Sequence, residues 1–313
     1  MTKWTASQIP SQTGRTAVVT GTGGLGYEDA LALARAGARV IIAGRNTQKG
    51  AEAIGRIQAK SRSSKVWFEQ VDLASLESVE RFSVRLREQT DTLDLLINNA
   101  GVMVPPKRLE TRDGFELQLG TNYLGHFALT GHLMPLLQKG KDPRVVTVSS
   151  IAARQGAIDF DDLQALHAYD PMPVYAQSKI ACLIFAIELH RRSVAGGWGV
   201  TSIAAHPGVS RTELLLNSPG RTHLSLRFRL ARMMFQPPWQ GALPTLYAAT
   251  SHEAKPGGYY GPDGPAELRG YPAPSKVPAR AADADTAVRL WNVSADLTGV
   301  TFDCPRIREV QAA

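Results

Sequence analysis

The sequence predicts an α/β fold in which a doubly wound parallel sheet carries helices on both faces. From residue 16 to about 206, short runs of β-branched and apolar residues alternate with longer segments of helical periodicity. The runs are apolar throughout, as in parallel strands that helices cover on both sides. A glycine cluster separates the first run from the first helical segment. Right-handed crossovers between such units generate the doubly wound arrangement.

The predicted elements follow one another in a regular order. The first strand, 16–20, leads through the glycine cluster into a helix over 27–38, where apolar residues recur at helical spacing and Gly37 stands at the C-cap position. Further strands are predicted at 39–43, 65–71, 93–97, 144–149 and 200–205. Further helices are predicted after Asn46, over 74–89, across 113–138 and across 173–196.

The whole chain, 1–313, is predicted to form one domain, because neither a second core nor an internal repeat is evident. Residues 207–240 are rich in Arg, Leu and Met, and a lid over the site is predicted at about 210–240. The segment from about 255 is rich in Pro and Gly and is interpreted as an irregular closing segment.

Composition excludes several classes of protein. Apolar residues make up 43% and charged residues 20%, which is typical of a globular chain and not of a disordered one. The net charge of +7 comes without a run of five like charges, so an anionic cofactor is favoured over nucleic acid. The two cysteines, Cys182 and Cys304, form no CxxC pair, which excludes a disulfide scaffold and a structural zinc site and favours a reducing compartment.

The location of the protein is inferred from apolar segments. The N-terminal residues are polar and lack a stretch of signal-peptide length. No charge-free window of 18 residues is apolar enough to span a bilayer. We therefore expect no transmembrane segment and a cytoplasmic location.

The glycine cluster TGTGGLG, Thr20 to Gly26, predicts a phosphate-binding turn. Glycines let the backbone approach a pyrophosphate, and the following helix offers free amides and a positive dipole. A glycine cluster also makes ordinary tight turns, but its place after the first strand favours nucleotide binding.

Seven motifs together carry a resemblance to a known family. The glycine turn is followed by VDL (71–73), NNAG (98–101), TNYLGHF (121–127), VSS (148–150), YAQSK (175–179) and HPGVSRT (206–212). In this order they resemble the classical short-chain dehydrogenase/reductase family, whose fold is Rossmann-like. One departure stands out: Gly21 and Gly24 enclose two residues, where the family has three.

The resemblance implies a dinucleotide site and names its residues. The glycine turn would contribute Gly21, Gly24, Leu25 and Gly26. Asp72 and Leu73 would flank the adenine; Asn99, Ala100 and Gly101 would lie along the ribose; Pro207, Gly208, Val209 and Thr212 would meet the nicotinamide. The alternative for Asp72 is a helix N-terminal residue or a solvated acid in a turn.

The end of the second strand bears on the choice of cofactor. An acidic residue there would bind the ribose hydroxyls of NAD, but this chain has Arg45, with Lys49 one turn later. Two cations favour the 2′-phosphate of NADP(H), with NAD(H) as the alternative. The alternative is that Arg45 and Lys49 are only a pair of surface cations.

Tyr175 and Lys179 are four residues apart, so both face the same side of a helix. A free phenol, with a pKa of about 10, is a poor base near neutrality, and a neighbouring ammonium favours the phenolate. The resemblance implies that Tyr175 is the general acid/base, that Lys179 assists it and holds the nicotinamide ribose, and that Ser150 hydrogen-bonds the carbonyl oxygen. It also implies that Asn122 opens its helix locally and holds a water in a proton relay. Ser149 is interpreted as a packing or backbone-bonding residue.

Other conspicuous residues are interpreted as structural. His126, His132 and His206 have no evident carboxylate partners, and Cys182 is assigned to buried packing. Metal binding is not expected.

The segment between Ser150 and Tyr175 points to one branch of the family. It spans 24 residues and contains FDDL (160–163). Together with WTASQIPSQTGRTAVVTG, PGGYYGPDG (256–264) and LWNVSADLTG, it resembles the retinol dehydrogenase and protochlorophyllide reductase-like branch. That branch implies a bulky apolar carbonyl or alcohol as substrate.

The expected activity is therefore NADP(H)-dependent interconversion of a ketone or aldehyde and an alcohol by hydride transfer. One alternative is a non-catalytic dinucleotide-binding regulator. Another is a peripheral membrane protein that uses residues 221–235 as a basic amphipathic helix. The resemblance also implies a homo-oligomer, either a dimer or a tetramer.

Overall fold

The computed structural model describes residues 3–61, 65–211 and 235–302. Their strands form one eight-stranded sheet in the order β3-β2-β1-β4-β5-β6-β7-β8. Seven strands run parallel and β8 pairs antiparallel with β7. The strands are β1 Thr16–Thr20, β2 Arg39–Gly44, β3 Lys65–Gln70, β4 Leu95–Asn98, β5 Arg144–Val148, β6 Thr201–Ala205, β7 Tyr259–Pro262 and β8 Pro272–Pro274. The predicted doubly wound α/β fold is confirmed.

Helices cover both faces of this sheet. They are α1 Gly24–Arg35, α2 Thr47–Lys60, α3 Leu76–Gln89, α4 Leu117–Leu119, α5 Gly125–Leu137, α6 Pro171–Gly196, α7 Pro238–Gly241, α8 Leu243–Thr250 and α9 Ala284–Thr298. Side chains fix where several of them begin, because a polar side chain there accepts a backbone N–H of the first turn. The residues that do so are Asn46, Ser75, Asp170 and Asp283.

Two hydrophobic cores lie on opposite faces of the sheet. Because successive side chains of a strand point to opposite faces, Val18 belongs to one core and Val19 to the other. The first core includes Phe127 of α5 and Phe185 of α6, and the second includes Leu33 of α1. The central strands are therefore buried on both faces, as their uninterrupted apolar sequences predicted.

The helix predicted across 113–138 is broken in the structure. Its first turn is α4, the next residues form a π-helix at Gly120–Leu124, and α5 follows. The start is set by Glu116, whose carboxylate accepts the N–H of Leu119 at 2.7 Å. Apolar periodicity alone predicted one continuous helix here, whereas the family resemblance implied a local opening at Asn122.

The closing segment is more regular than predicted. It contains β7, β8 and the 15-residue helix α9. Pro272 and Pro274 lie in β8, at the edge of the sheet, where a residue that cannot donate to a neighbouring strand is tolerated. Of the predicted lid, residues 212–234 lie outside the described residues, as does nearly all of the amphipathic segment 221–235. The lid therefore stays a prediction.

Helix α6 corrects an expectation from the sequence. Its 26 residues contain an 18-residue window of mean hydropathy 1.3, so by length and composition it could cross a membrane. The prediction that no such segment exists was wrong, because it required a window free of charge and α6 carries Lys179 and Glu188 among its apolar residues. Most of the window is buried inside the protein.

Candidate active site

A cleft of about 920 Å³ opens at the carboxyl ends of the parallel strands. This edge includes the gap between β1 and β4, where the order of strands reverses and open α/β sheets bind their ligands. Most residues predicted for the site line it: Gly21, Gly24, Leu25, Arg45, Asp72, Leu73, Asn99, Ala100, Gly101, Ser150, Tyr175, Lys179, Pro207, Gly208 and Val209. Gly26 and Asn122 are not among the lining residues, and Thr212 lies outside the described residues.

The shortened glycine turn still brings the start of α1 to the cleft. Gly21 and Gly24 have positive φ angles of 101° and 53°, which favour glycine. A Cβ on Gly26 would lie 2.6 Å from Asn99 Nδ2 and 2.7 Å from the Gly21 carbonyl oxygen. Gly26 therefore allows α1 to pack closely behind the turn, although it does not reach the cleft.

Thr20, at the end of β1, organises the opposite wall. Its Oγ1 accepts the backbone N–H groups of Asn99 and Ala100, both at 2.9 Å. The Asn99 side chain in turn donates to the Thr20 carbonyl at 2.7 Å. This role of Thr20 was not predicted, because its signal in the sequence is a single threonine immediately before the glycine turn.

Helix α6 presents Tyr175 and Lys179 to the cleft. The Lys179 Nζ lies 6.0 Å from the centre of the Tyr175 ring, and the side chains share a face as their spacing predicted. Lys179 is buried and donates a hydrogen bond to the Val148 carbonyl at 3.1 Å. The ammonium is thus held between the end of β5 and the tyrosine.

The two serines after β5 form different hydrogen bonds. Ser150 lines the cleft, and its Oγ accepts the N–H of Ala152 at 3.2 Å, at the start of a 3₁₀ helix over Ile151–Arg154. Ser149 donates to the Lys179 carbonyl at 2.7 Å. The structure thus gives Ser149 the backbone-bonding position expected for it, and both serines line the cleft.

Asn122 lies in the π-helix, so the helix does open at this residue. Its Oδ1 accepts the Val102 N–H at 2.7 Å, and its Nδ2 donates to Ser178 Oγ at 2.9 Å. Its carbonyl accepts hydrogen bonds from His126 Nδ1 at 2.9 Å and from Cys182 Sγ at 3.2 Å. All of these Asn122 groups are thus bonded within the protein.

His126 is neutral and has a defined tautomer. Burial lowers its pKa to about 4. Because Nδ1 must donate to the Asn122 carbonyl, Nε2 accepts from the hydroxyl of Thr20, 2.9 Å away. This histidine links the two walls of the cleft from behind, which agrees with the structural role expected for it.

His206 does have a carboxylate partner, contrary to the sequence analysis. Its Nε2 lies 2.7 Å from Glu267 Oε2 and 3.1 Å from Ser275 Oγ. The pairing escaped notice because the histidine and the glutamate are 61 residues apart. Burial lowers the pKa of His206, and the carboxylate opposes that shift.

One wall of the cleft is apolar and was not predicted. It includes Met103, Val104, Pro106, Ile151 and Met172. Val104 has a φ of 44°, which is rare for a β-branched residue. A hydrogen bond of 2.8 Å from its N–H to the buried Gln118 side chain helps to hold this conformation.

Both predicted cations and the predicted acid line the part of the cleft where β2 and β3 end. Arg45, Lys49 and Asp72 all line it. Asp72 Oδ1 also accepts the Ala74 N–H at 3.1 Å, so the aspartate stabilises its own turn. Among the described residues, no three His, Cys, Asp or Glu side chains are grouped so that they could hold a metal ion.

Comparisons with known proteins agree with this geometry. The model of the short chain dehydrogenase family matches residues 15–220. Polyprenol dehydrogenase of Mus musculus is 41% identical over 297 residues, which cover 93% of this chain and 86% of the relative. Retinol dehydrogenase 12 of Mus musculus is 40% identical over 298 residues, which cover 95% of this chain and 89% of the relative. The crystal structure of an uncharacterised protein from Mycobacterium paratuberculosis superposes with a TM-score of 0.79. Its sequence is 40% identical, and the match covers 97% of this chain and 100% of that one.

The relatives also bear on location. The expected cytoplasmic location depended on the absence of a membrane-compatible segment, and α6 is such a segment. The relatives are named as dehydrogenases of polyprenol and retinol. The expectations of a cytoplasmic protein and of no transmembrane segment were therefore wrong.

The matched model, the identities and the shared fold lead to one assignment. The chain belongs to the short-chain dehydrogenase/reductase family, in its retinol dehydrogenase-like branch, and it is an oxidoreductase that acts on alcohol or carbonyl groups.

Proposed function

We propose that this enzyme interconverts a bulky apolar ketone or aldehyde and the corresponding alcohol, using a nicotinamide dinucleotide with a preference for NADP(H). The observation that carries the proposal is the meeting of Ser150, Tyr175 and Lys179 with the glycine turn in one cleft at the sheet's switch point. The relatives named for polyprenol and retinol support an apolar alcohol as the substrate class.

The shape of the cleft fits a dinucleotide. The glycine turn leaves backbone amides at the start of α1 for a pyrophosphate. A Cβ on Gly21 would lie 2.9 Å from Asn99 Nδ2, and one on Gly101 would lie 2.9 Å from Asn122 Oδ1. Glycine at these places leaves room for the side chains of Asn99 and Asn122, which pack against the lining of the cleft. Pro207, Gly208 and Val209 line the same cleft, and we assign them to the nicotinamide.

The preference for NADP(H) is inferred from charge. Arg45 and Lys49 line the end of the cleft that follows β2. A guanidinium can meet a 2′-phosphate with two parallel, charge-assisted hydrogen bonds. Asp72, which also lines the cleft, follows β3 rather than β2, and its carboxylate accepts a backbone N–H of its own turn.

When bound, the nicotinamide supplies or accepts the hydride. The chain supplies the proton and the orientation of the substrate. Tyr175 donates its hydroxyl proton to the substrate oxygen during reduction and takes it back during oxidation. The Lys179 ammonium, fixed by the Val148 carbonyl, favours the phenolate that remains. Ser150 donates a hydrogen bond to the same oxygen as negative charge develops there.

We assign Asn122 a positioning role. Its side chain accepts the N–H of Val102 and donates to the Val102 carbonyl and to Ser178 of α6, so it ties the segment after Gly101 to that helix. Because its side-chain atoms and carbonyl are all bonded within the protein, no proton step is assigned to it. The apolar wall with Met103, Ile151 and Met172 gives the substrate a water-poor surface beside the reacting carbonyl.

A spectrophotometric assay tests the proposal. NADPH oxidation is followed with ketones and aldehydes that share a reacting group but differ in apolar chain length. We expect kcat/KM to rise with chain length until the cleft is filled, since each buried methylene contributes about 0.8 kcal/mol. The Tyr175→Phe variant serves as the matched blank. Equal rates for polar and apolar substrates would contradict the proposed substrate class.

A further inference from the structure

One glutamate connects the two loops that border the cleft. The carboxylate oxygen Oε2 of Glu267 accepts hydrogen bonds from His206 Nε2 at 2.7 Å and from Ser275 Oγ at 2.9 Å. It also forms an ion pair with Arg154 Nη2 at 2.7 Å. The His206 side chain is fully buried, and Glu267 is 25% exposed. Three segments that are distant in sequence therefore converge on one atom.

On one side, Glu267 holds the turn that follows the catalytic serine. Arg154 is the last residue of the 3₁₀ helix that begins directly after Ser150. Its guanidinium bonds the Glu267 carboxylate and, through Nη1, the Ala266 carbonyl at 3.0 Å. These two contacts, to Glu267 and Ala266, fix the direction of the guanidinium. They thereby hold the end of the 3₁₀ helix Ile151–Arg154, which we call the serine turn.

On the other side, Glu267 fixes the tautomer of His206. The His206 Nδ1 accepts the backbone N–H of Gly208 at 3.2 Å, so the ring proton must lie on Nε2 and be donated to Glu267. Gly208 has a φ of 61° and lines the cleft. The next N–H, that of Val209, donates to the Leu268 carbonyl at 2.8 Å. Residues 207–209, which we call the nicotinamide loop, are therefore held by His206 and by Leu268, the residue that follows Glu267.

The backbone of this turn is itself unusual. Ala266 and Glu267 are consecutive non-glycine residues with φ values of 51° and 57°. Residues in the left-handed region persist only where their surroundings hold them, and such strain clusters at functional sites. The strained turn aims the Glu267 carboxylate at both loops.

We propose that Glu267 is a positioning residue that sets the nicotinamide loop through the tautomer of His206 and the serine turn through Arg154. This inference rests on the proposed function, because the loop at 207–209 matters to it only as part of the cofactor site. Glu267 acts through His206 and Arg154 and is not among the residues that line the cleft.

Two variants of Glu267 separate this role from a simple ion pair. Glu267→Ala removes the acceptor from His206, and we expect the Kd for NADPH, measured by fluorescence titration, to rise on the order of tenfold, a change equivalent to one or two hydrogen bonds. Glu267→Gln keeps an oxygen acceptor but loses the charge, so we expect its Kd to stay within about threefold of wild type. A role through charge alone would instead weaken binding equally in both variants.

A matched control comes from Glu188 at the far end of α6. It is buried, and its carboxylate accepts hydrogen bonds from Arg191 and Arg192, both at 2.6 Å. Glu188→Ala should lower the melting temperature and leave the Kd for NADPH unchanged. Arg154→Met should lower kcat more than it raises the Kd, since it releases only the serine turn.

The outcomes distinguish this inference from the proposed function. Wild type that neither binds NADPH nor turns over any carbonyl substrate would overturn the proposed function. Wild type that does both, with a Glu267→Ala variant of unchanged Kd, would overturn only the positioning role. If Glu267→Ala does not fold, the ¹⁵N shifts of the His206 ring in labelled wild type decide. The proposal requires the proton on Nε2 near neutral pH, and a proton on Nδ1 would overturn it.

Discussion

Asp29 is buried in the second turn of α1 without a hydrogen-bond partner among the described residues. Its side chain is 0% exposed, and both carboxylate oxygens lack a donor. Desolvation raises its pKa well above the usual range, and the nearby Glu28 adds to this shift. The carboxyl group is therefore a cost to the folded state, and replacing it with alanine should stabilise the protein.

The size of the effect follows from the burial. Leaving a buried polar group without a partner costs about 1–3 kcal/mol. Alanine also gains about 0.5 kcal/mol of helix propensity over aspartate, while the small cavity left by truncation offsets part of the gain. We expect Asp29→Ala to raise the free energy of unfolding by about 1–3 kcal/mol, or the melting temperature by about 2–6 °C for a chain of this size.

The effect must also depend on pH. The folded-state pKa of Asp29 lies above its unfolded value of about 3.9, so the unfolded chain binds fewer protons between the two values. The destabilisation is absent below the unfolded pKa and grows as the pH rises through it, until the folded-state pKa is reached. Asp29→Asn replaces the carboxyl group with an amide of similar size that does not titrate, so this variant should lose the pH slope.

Urea unfolding at pH 5, 7 and 8.5 measures both quantities. Asp296, an exposed aspartate within helix α9, provides the matched control. Asp296→Ala should gain only helix propensity, because it removes no buried carboxyl group. The reasoning would be refuted if Asp29→Ala were less stable than wild type at pH 8.5, or if its stability difference from wild type did not grow with pH.

Three further predictions concern the cleft. Tyr175→Phe should lower kcat by roughly 10²–10⁴-fold, typical of a lost acid/base group, while the Kd for NADPH stays near that of wild type; near-normal turnover would remove Tyr175 from its role. Arg45→Asp should lower kcat/KM with NADPH at least tenfold and leave it neutral or improved with NADH, and an unchanged ratio would make Arg45 a surface cation only. Val104→Gly should relieve the strained φ of 44° and raise the melting temperature, but it should raise KM for apolar substrates by removing part of the wall, and unchanged KM would place the substrate elsewhere.

The sequence predicted the features that depend on local pattern. Strands such as β1 and β5 agree within a residue, because buried parallel strands are apolar along their whole length. The shared face of Tyr175 and Lys179 follows directly from their spacing on α6. The glycine turn was placed correctly even though it is one residue short.

Features that depend on contacts between distant residues were missed. The hydrogen bond between His206 and Glu267, and the one from Val104 to Gln118, form only in the tertiary fold and leave no pattern in the local sequence. The break at Gly120–Leu124 was implied only by the family resemblance, as a local opening at Asn122, because apolar periodicity alone predicted one continuous helix. The membrane-compatible window of α6 was missed because two charged residues hid an otherwise apolar stretch.

The placement of Tyr175 and Lys179 on α6 bears on how activity is lost on heating. This helix packs on β5 and β6, on the 3₁₀ turn after Ser150 and on α9. Buried core elements open only when the whole domain unfolds, whereas loops open locally at much lower cost. The amides around Tyr175 should therefore exchange with solvent as slowly as the slowest in the protein. Catalytic competence should be lost in a single step with the fold, so that curves of residual activity and of global melting coincide.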